Sequence, residues 1–228
     1  MKQISAIAAA IAGGLLLTSA PSAMAFGLGN ITSAIPGVGG TSGAAVSAGD
    51  IDGFIKTAND ANLLISTSST HIFKALASKE DIAAVEARLA AANTIADPAE
   101  KAAEISKIES DKATIAQKSL NSADAENRLN AMNKQQLASF GNAAFTFMLG
   151  VLKDKQLAEG SSALVSGVAS NPALLPRLGA LKDAASSVTS QLSNTAKIGE
   201  GLIKLAKAGK ISALPTSASE APKAVDSI

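Results

Sequence analysis

The chain contains no cysteine, no tryptophan and no tyrosine, and only one histidine among its 228 residues. Without cysteine there are no disulfide staples, no thiol nucleophile and no thiolate metal site, so the fold must stand on packing alone. Without Trp and Tyr, the aromatic platforms that stack single-stranded bases are missing, and a sugar-stacking site is not expected either. The lone histidine, His71, cannot complete a zinc site without a second one. Excess charge of either sign is also lacking. Once Lys2 is set aside with the leader described below, basic and acidic residues stand at 19 each. A general nucleic-acid binder needs a basic footprint to displace counterions, so that class is not expected.

Alternating β-branched runs are absent too, which leaves an all-α reading. The most apolar stretch after the N-terminus is Leu137 to Leu152, LASFGNAAFTFMLGVL, with three of the six Phe residues. As a helix its sixteen residues cover about 24 Å, short of the roughly 30 Å of a bilayer core. Lys153-Asp154-Lys155 then closes it off. A helix apolar nearly all round, yet too short to span, reads as the buried central helix of a bundle.

The N-terminus carries an address. Lys2, an apolar run from Ile4 to Leu17 and Ala23-Met24-Ala25 match the n-region, h-region and cleavage site of a secretory signal peptide. Cleavage before Phe26 leaves 203 residues, enough for one domain with its own core. The expected location is periplasmic or extracellular, with no stable transmembrane anchor. Residues 26–49 are rich in Gly, Ser and Ala and read as a flexible arm. Gly37 to Gly43 is no phosphate loop, because it has no Lys and follows no strand.

Residues 50–211 carry about five helices, arranged as an elongated bundle. The first starts at Asp50 as N-cap and runs to about Ala77, with Phe54, Ala58, Ala61, Ile65, Ser68, Ile72 and Ala75 spaced by fours and threes. Its polar run Ser66 to Thr70 is unusual for a helix interior. The second begins at Ser78, with Ile82, Val85, Leu89 and Ala92 as its stripe, and ends near Ile95. Asp97-Pro98 opens the third, with Pro at the first helical position. Its narrow stripe (Ala102, Ile105, Ile108, Ile115) and dense charge place it on the outside, and the chain either continues or breaks between Ser119 and Asp124.

Asn133 caps the central helix, on which Leu137, Phe140, Ala144, Phe147 and Val151 repeat by threes and fours. A helical extension over Gly160 to Ser170 follows, and Asn171-Pro172 forces a turn. The last helix, from about Leu174 to Ala208, keeps heptad spacing at Leu178, Leu181, Ala185, Val188 and Leu192, with Thr195 and Gly199 as weak members before Leu202. Gly209 fits a C-cap. Residues 212–228 have Pro, Ser and charge without periodicity and read as a disordered tail.

Chemistry is sparse. No G-x-S-x-G, H-E-x-x-H or S-x-x-K motif occurs. His71 is expected at the rim of the first helix's stripe as a partly exposed polar residue. Glu100, Glu104, Asp124 and Glu126 are mixed with Lys101, Lys107, Lys112 and Lys118, as on a solvated face. The last helix is mildly basic, and its spread charges also read as solvated. Neither an enzyme nor a cofactor nor a metal is expected.

Three readings of function follow. The leading one is an exported, non-enzymatic helical bundle acting through a protein partner in the cell envelope, a second copy included. The alternative is a carrier whose apolar ligand lies against Phe140, Ala144, Phe145, Phe147, Met148 and Val151. The third is a membrane-active protein that opens to expose Leu137 to Leu152.

Overall fold

The computed structural model describes residues 46–122 and 124–225. They form six α-helices: α1 (Ala48–Leu76), α2 (Lys79–Asn93), α3 (Pro98–Leu120), α4 (Asp124–Ala131), α5 (Lys134–Ala169) and α6 (Leu178–Lys207). A 3-10 turn, Leu175–Arg177, leads into the last, and no strand occurs among the described residues. The all-α bundle is therefore as the periodicity predicts. The signal peptide and most of the glycine-rich arm lie outside the described residues.

Helix ends follow local chemistry. α1 begins three residues earlier than expected from Asp50, because Ser47 is the N-cap and Asp50 closes a capping box. The Asp50 carboxylate accepts from the Ser47 amide at 2.8 Å, and the Ser47 hydroxyl accepts from the Asp50 amide at 3.3 Å. Asp97 caps α3 as predicted, accepting from the amides of Ala99 and Glu100 at 2.8 Å each. Asn133 caps α5 reciprocally with Gln136. The chain breaks after Leu120, giving α4 as a separate short helix. Arg128 on α4 donates to the carbonyls of Leu76 and Ala77 at 2.7 and 2.8 Å, where α1 leaves its last carbonyls unpaired. At the end of α6, Gly209 has φ +68°, the left-handed conformation that glycine adopts without a Cβ clash. The amides of Gly209 and Lys210 then bond back to Ala206 and Leu205, closing a Schellman motif.

α5 runs unbroken for 36 residues, about 54 Å at helical rise, and is the axis of the bundle. α1 packs against it most extensively, then α6. α1 is antiparallel to α5, since Gly150 lies against Ile65 and Ala61 while Gly167 lies against Val46. A Cβ at Gly150 would stand 2.6 Å from Ile65 Cγ1 and 3.0 Å from the Ala61 carbonyl, so only glycine lets the helices come this close. α6 returns antiparallel to α5 after the Asn171-Pro172 turn and parallel to α1, to which Arg177–Asp52 and Gln191–Asn62 tie it. α3 packs on α1 and α6 from outside, and α2 packs on α3.

The predicted stripes are the buried ones. On α1, Phe54, Ala58, Ala61, Ile65, Ser68 and Ile72 are buried. On α6, the weak heptad positions Thr195 and Gly199 are buried along with Leu181, Val188 and Leu202. Thr195 is tolerated there because its hydroxyl donates to the Gln191 carbonyl at 2.8 Å.

The core is in two parts. One cluster gathers Ile65, Ile72, Phe73, Ile108, Phe140, Phe147, Ile198 and Leu202, with members from every helix. The other gathers Ile51, Phe54, Leu157, Val168, Leu181 and Val188, from α1, α5, α6 and the turn before α6.

Among the described residues beyond Ile211, 212–225, there is no helix or strand. This irregular segment is nonetheless tethered through residue 225. Glu220 closes a turn by accepting from the amides of Thr216 and Ser217, and Leu214 and Val225 pack against the larger cluster.

Candidate functional site

The six residues singled out on α5 do not line a common space. Phe140, Ala144 and Phe147 are fully buried in the larger cluster, and Met148 and Val151 are half-buried at its edge. Phe145 belongs to neither cluster and faces the C-terminal segment. Gly150 on α5 and Gly199 on α6 have neighbours in the space beside them. Ile65 fills the space at Gly150, and Met148 Sδ lies 3.4 Å from where a Cβ on Gly199 would be. A partly open cavity of about 170 Å³ does exist, but between α3, α4 and α6, lined by Leu120, Ser122, Ala125, Glu126, Gly201 and Lys204. Pockets for drug-sized ligands run from roughly 300 Å³ upward, so this one is too small for an acyl chain.

His71 is half-buried on α1, as expected at the rim of the stripe. Desolvation first, and the Lys74 ammonium second, lower its pKa and favour the neutral imidazole. No group of three or more His, Asp or Glu side chains arranged to hold a metal ion occurs among the described residues. Glu104 is engaged by Arg88 at 3.0 Å and by Lys107 at 3.5 Å; the hydrogen bond from Arg88 is the chief reason its pKa is lowered. Glu126 pairs with Lys210 at 3.3 Å. These are surface pairs.

Three charged residues depart from the exposure expected of them. Lys112 is buried on α3 rather than solvated, and its ammonium donates to the Thr70 hydroxyl at 2.8 Å and to Glu109 at 2.9 Å. That contact accounts for part of the polar run on α1: Thr70 supplies an acceptor where α3 crosses. Ser68, two residues earlier, is fully buried with its hydroxyl unpaired.

The larger departure lies at Lys153-Asp154, expected as the polar end of the apolar stretch. Both are buried, Asp154 fully, and neither oxygen of the Asp154 carboxyl has a hydrogen-bond partner among the described residues. Desolvation alone pushes its pKa up to about 7. Desolvation likewise lowers the pKa of Lys153, partly offset by the nearby Asp60, while Lys56 adds to the lowering. The signal was present in the sequence, because Phe140, Phe147 and Asp154 are seven apart and occupy one heptad line. Lys155 alone of the three charges is exposed.

Elsewhere on α5, residues 222–225 lie across the helix as irregular chain. Asn142 Nδ2 donates to the Ala224 carbonyl at 2.8 Å, and Thr146 Oγ1 donates to the Lys223 carbonyl at 3.1 Å. The Lys223 amide reaches the same hydroxyl at 3.2 Å, and Lys223 Nζ sits 4.1 Å from the centre of the Phe145 ring. Such hydrogen bonds contribute about 1 kcal/mol each, and a cation over an exposed ring about 0.5–1 kcal/mol. These four polar contacts together contribute a few kcal/mol. Sequence reasoning missed it because nothing periodic marks it.

No family model, curated protein or solved structure matches this chain. Its functional reading therefore rests on the residues themselves.

Proposed function

We propose that the chain is an exported, non-enzymatic helical bundle that works by contact with protein partners in the bacterial cell envelope. The observation that carries this reading is the uneven use of its helices. The apolar faces of α1, α5 and α6 are spent on internal packing. α2 instead packs on α3 and leaves Ala83, Ala84, Ala87, Ala90 and Ala91 exposed on its outer side. Side chains this small let another helix approach closely, since interaxial distance is set by the residues at the contact. None of the described helices is long and apolar enough to cross a membrane. The carrier alternative would require a ligand to displace α1 or α6 from Phe140 and Phe147, and nothing in the packing favours that.

The test is photo-crosslinking in the producing cell, with benzoylphenylalanine at position 87 and, for comparison, at exposed Ser186 on α6. A discrete adduct from position 87 that is absent from position 186 is expected. The same diffuse pattern from both, or no adduct, would count against the reading. Native mass spectrometry of the released protein separates the alternatives. An extra mass lost on denaturation would favour a carrier, and a clean multiple of the monomer would identify the partner as a second copy.

A further inference from the structure

The C-terminal segment is irregular chain that meets α5 through main-chain chemistry. Three of its contacts involve the backbone of Lys223 and Ala224, read by the side chains of Asn142 and Thr146 one turn apart. The fourth is the Lys223 ammonium over Phe145. Gly141, the residue before Asn142, keeps the surface low: a Cβ there would stand 3.2 Å from Ser212 Oγ. Asn142, Phe145 and Thr146 therefore accept a stretch of backbone with a basic side chain, while Gly141 makes room for Ser212 at the start of the same segment.

Leu214 and Val225 of the strap pack against the larger cluster, and Pro215 is buried beside Leu214. Between them the chain turns on Glu220, whose carboxylate holds the exposed residues Thr216 and Ser217. A segment so lightly attached opens by itself far more often than the helices beneath it. The α5 surface it covers is closed by irregular chain, whereas Phe140 and Phe147 on the same helix are buried in the larger cluster.

We propose that the Gly141–Thr146 face of α5 is a docking site for an extended partner segment bearing a lysine or arginine, and that residues 221–225 occupy it as a releasable, autoinhibitory strap. Any extended segment can supply the carbonyls and amide that Asn142 and Thr146 read. The basic side chain over Phe145 adds the selectivity, and Phe145, 6% exposed under the strap, is the apolar surface that release uncovers. The site is separate from the outer face of α2 and stands or falls without it.

The probe is a fluorescein-labelled synthetic peptide covering residues 217–228, added to the full-length chain. In the unaltered chain the tethered strap competes, and binding is expected to be weak. Lys223→Ala in the chain weakens the strap and should tighten binding of the peptide about two- to fivefold. Thr146→Val in the same chain should abolish that gain, and a peptide with alanine in place of its lysine should bind about two- to fivefold more weakly. Equal peptide affinity for the Lys223→Ala and unaltered chains would overturn the proposal, as would a gain that Thr146→Val leaves intact. Hydrogen exchange on the unaltered chain tests it without any variant. The Lys223 amide should exchange at least a hundredfold faster than the Phe147 amide, by opening that leaves α5 closed. Equal protection of the two would make the strap a fixed part of the core and end the argument.

Discussion

Around Phe147 the three long helices are joined by α2, α3, α4 and the C-terminal segment, whereas around Leu157 they pack with only the turn before α6 to help. The same helices cross both regions without a break in α1, α5 or α6. What divides them is one line of residues on α5, where the apolar sequence Phe140, Phe147 continues into Asp154. The difference teaches that a continuous helix does not imply a continuous core. A buried carboxyl costs more than any single methylene group contributes, so it sets a boundary that hydrophobic periodicity passes over.

The comparison is broken most severely from the larger side. Phe147→Ala removes a fully buried ring, and a loss of about 3–5 kcal/mol is expected from the urea midpoint of the mutant. Should Leu157→Ala, in the smaller cluster, cost more than Phe147→Ala, the ranking of the two regions would be reversed.

The boundary itself has a pH signature. The folded pKa of Asp154 lies near 7, above its unfolded value near 3.8, so the native state holds the proton more tightly. Its contribution to stability is fully present below the unfolded pKa and is lost as pH rises through the folded one, at most about 1.4 kcal/mol per pH unit. Glu104 and Glu220 act in the opposite sense. Their lowered pKa values give stability that is lost as pH falls below the ordinary carboxylate range. His71 also acts in that opposite sense, because its lowered pKa gives stability that is lost as pH falls below the ordinary imidazole value. Melting temperatures followed from pH 4.5 to 8 should therefore fall more steeply with rising pH in the unaltered protein than in Asp154→Asn, which keeps the His71 contribution. A parallel curve in the mutant would show that Asp154 does not titrate in this window.

Smaller effects sharpen the contrast between buried and exposed charge. Thr70→Val removes the hydroxyl that accepts from the Lys112 ammonium, and a loss of about 1 kcal/mol is expected in chemical denaturation. Arg88, in exposed pairs with Glu104 and Asp111, should give the smallest change. Arg88→Ala is expected to leave the melting temperature within error in 0.5 M salt, and a clear drop would mean that the α2–α3 contact depends on this pair.

Much of the fold was legible. Heptad and three-four spacing located α1, α2, α5 and α6 to within a few residues, and the cap chemistry of Ser78, Asp97, Asn133 and Gly209 is what the structure contains. The boundary errors are local: Asp50 is a good N-cap by type, but Ser47 three residues earlier completes a box with it. The site was less legible. Phe145 lies two residues from Phe147 yet faces the other way, because two residues are about 200° of helix. Lys112 reads as solvated because its acceptor, Thr70, is 42 residues away.

The sequence by itself determined the all-α class, the extent of the long helices and which face of each is buried, because these depend on local propensity and on periods of three and four residues. Only the tertiary structure decided that Asp154 is sealed without a partner, that Lys112 is paired inside, and that an aperiodic tail lies across Phe145. Those outcomes depend on which distant segments arrive at a given point on a helix, and no spacing within the helix encodes that arrival.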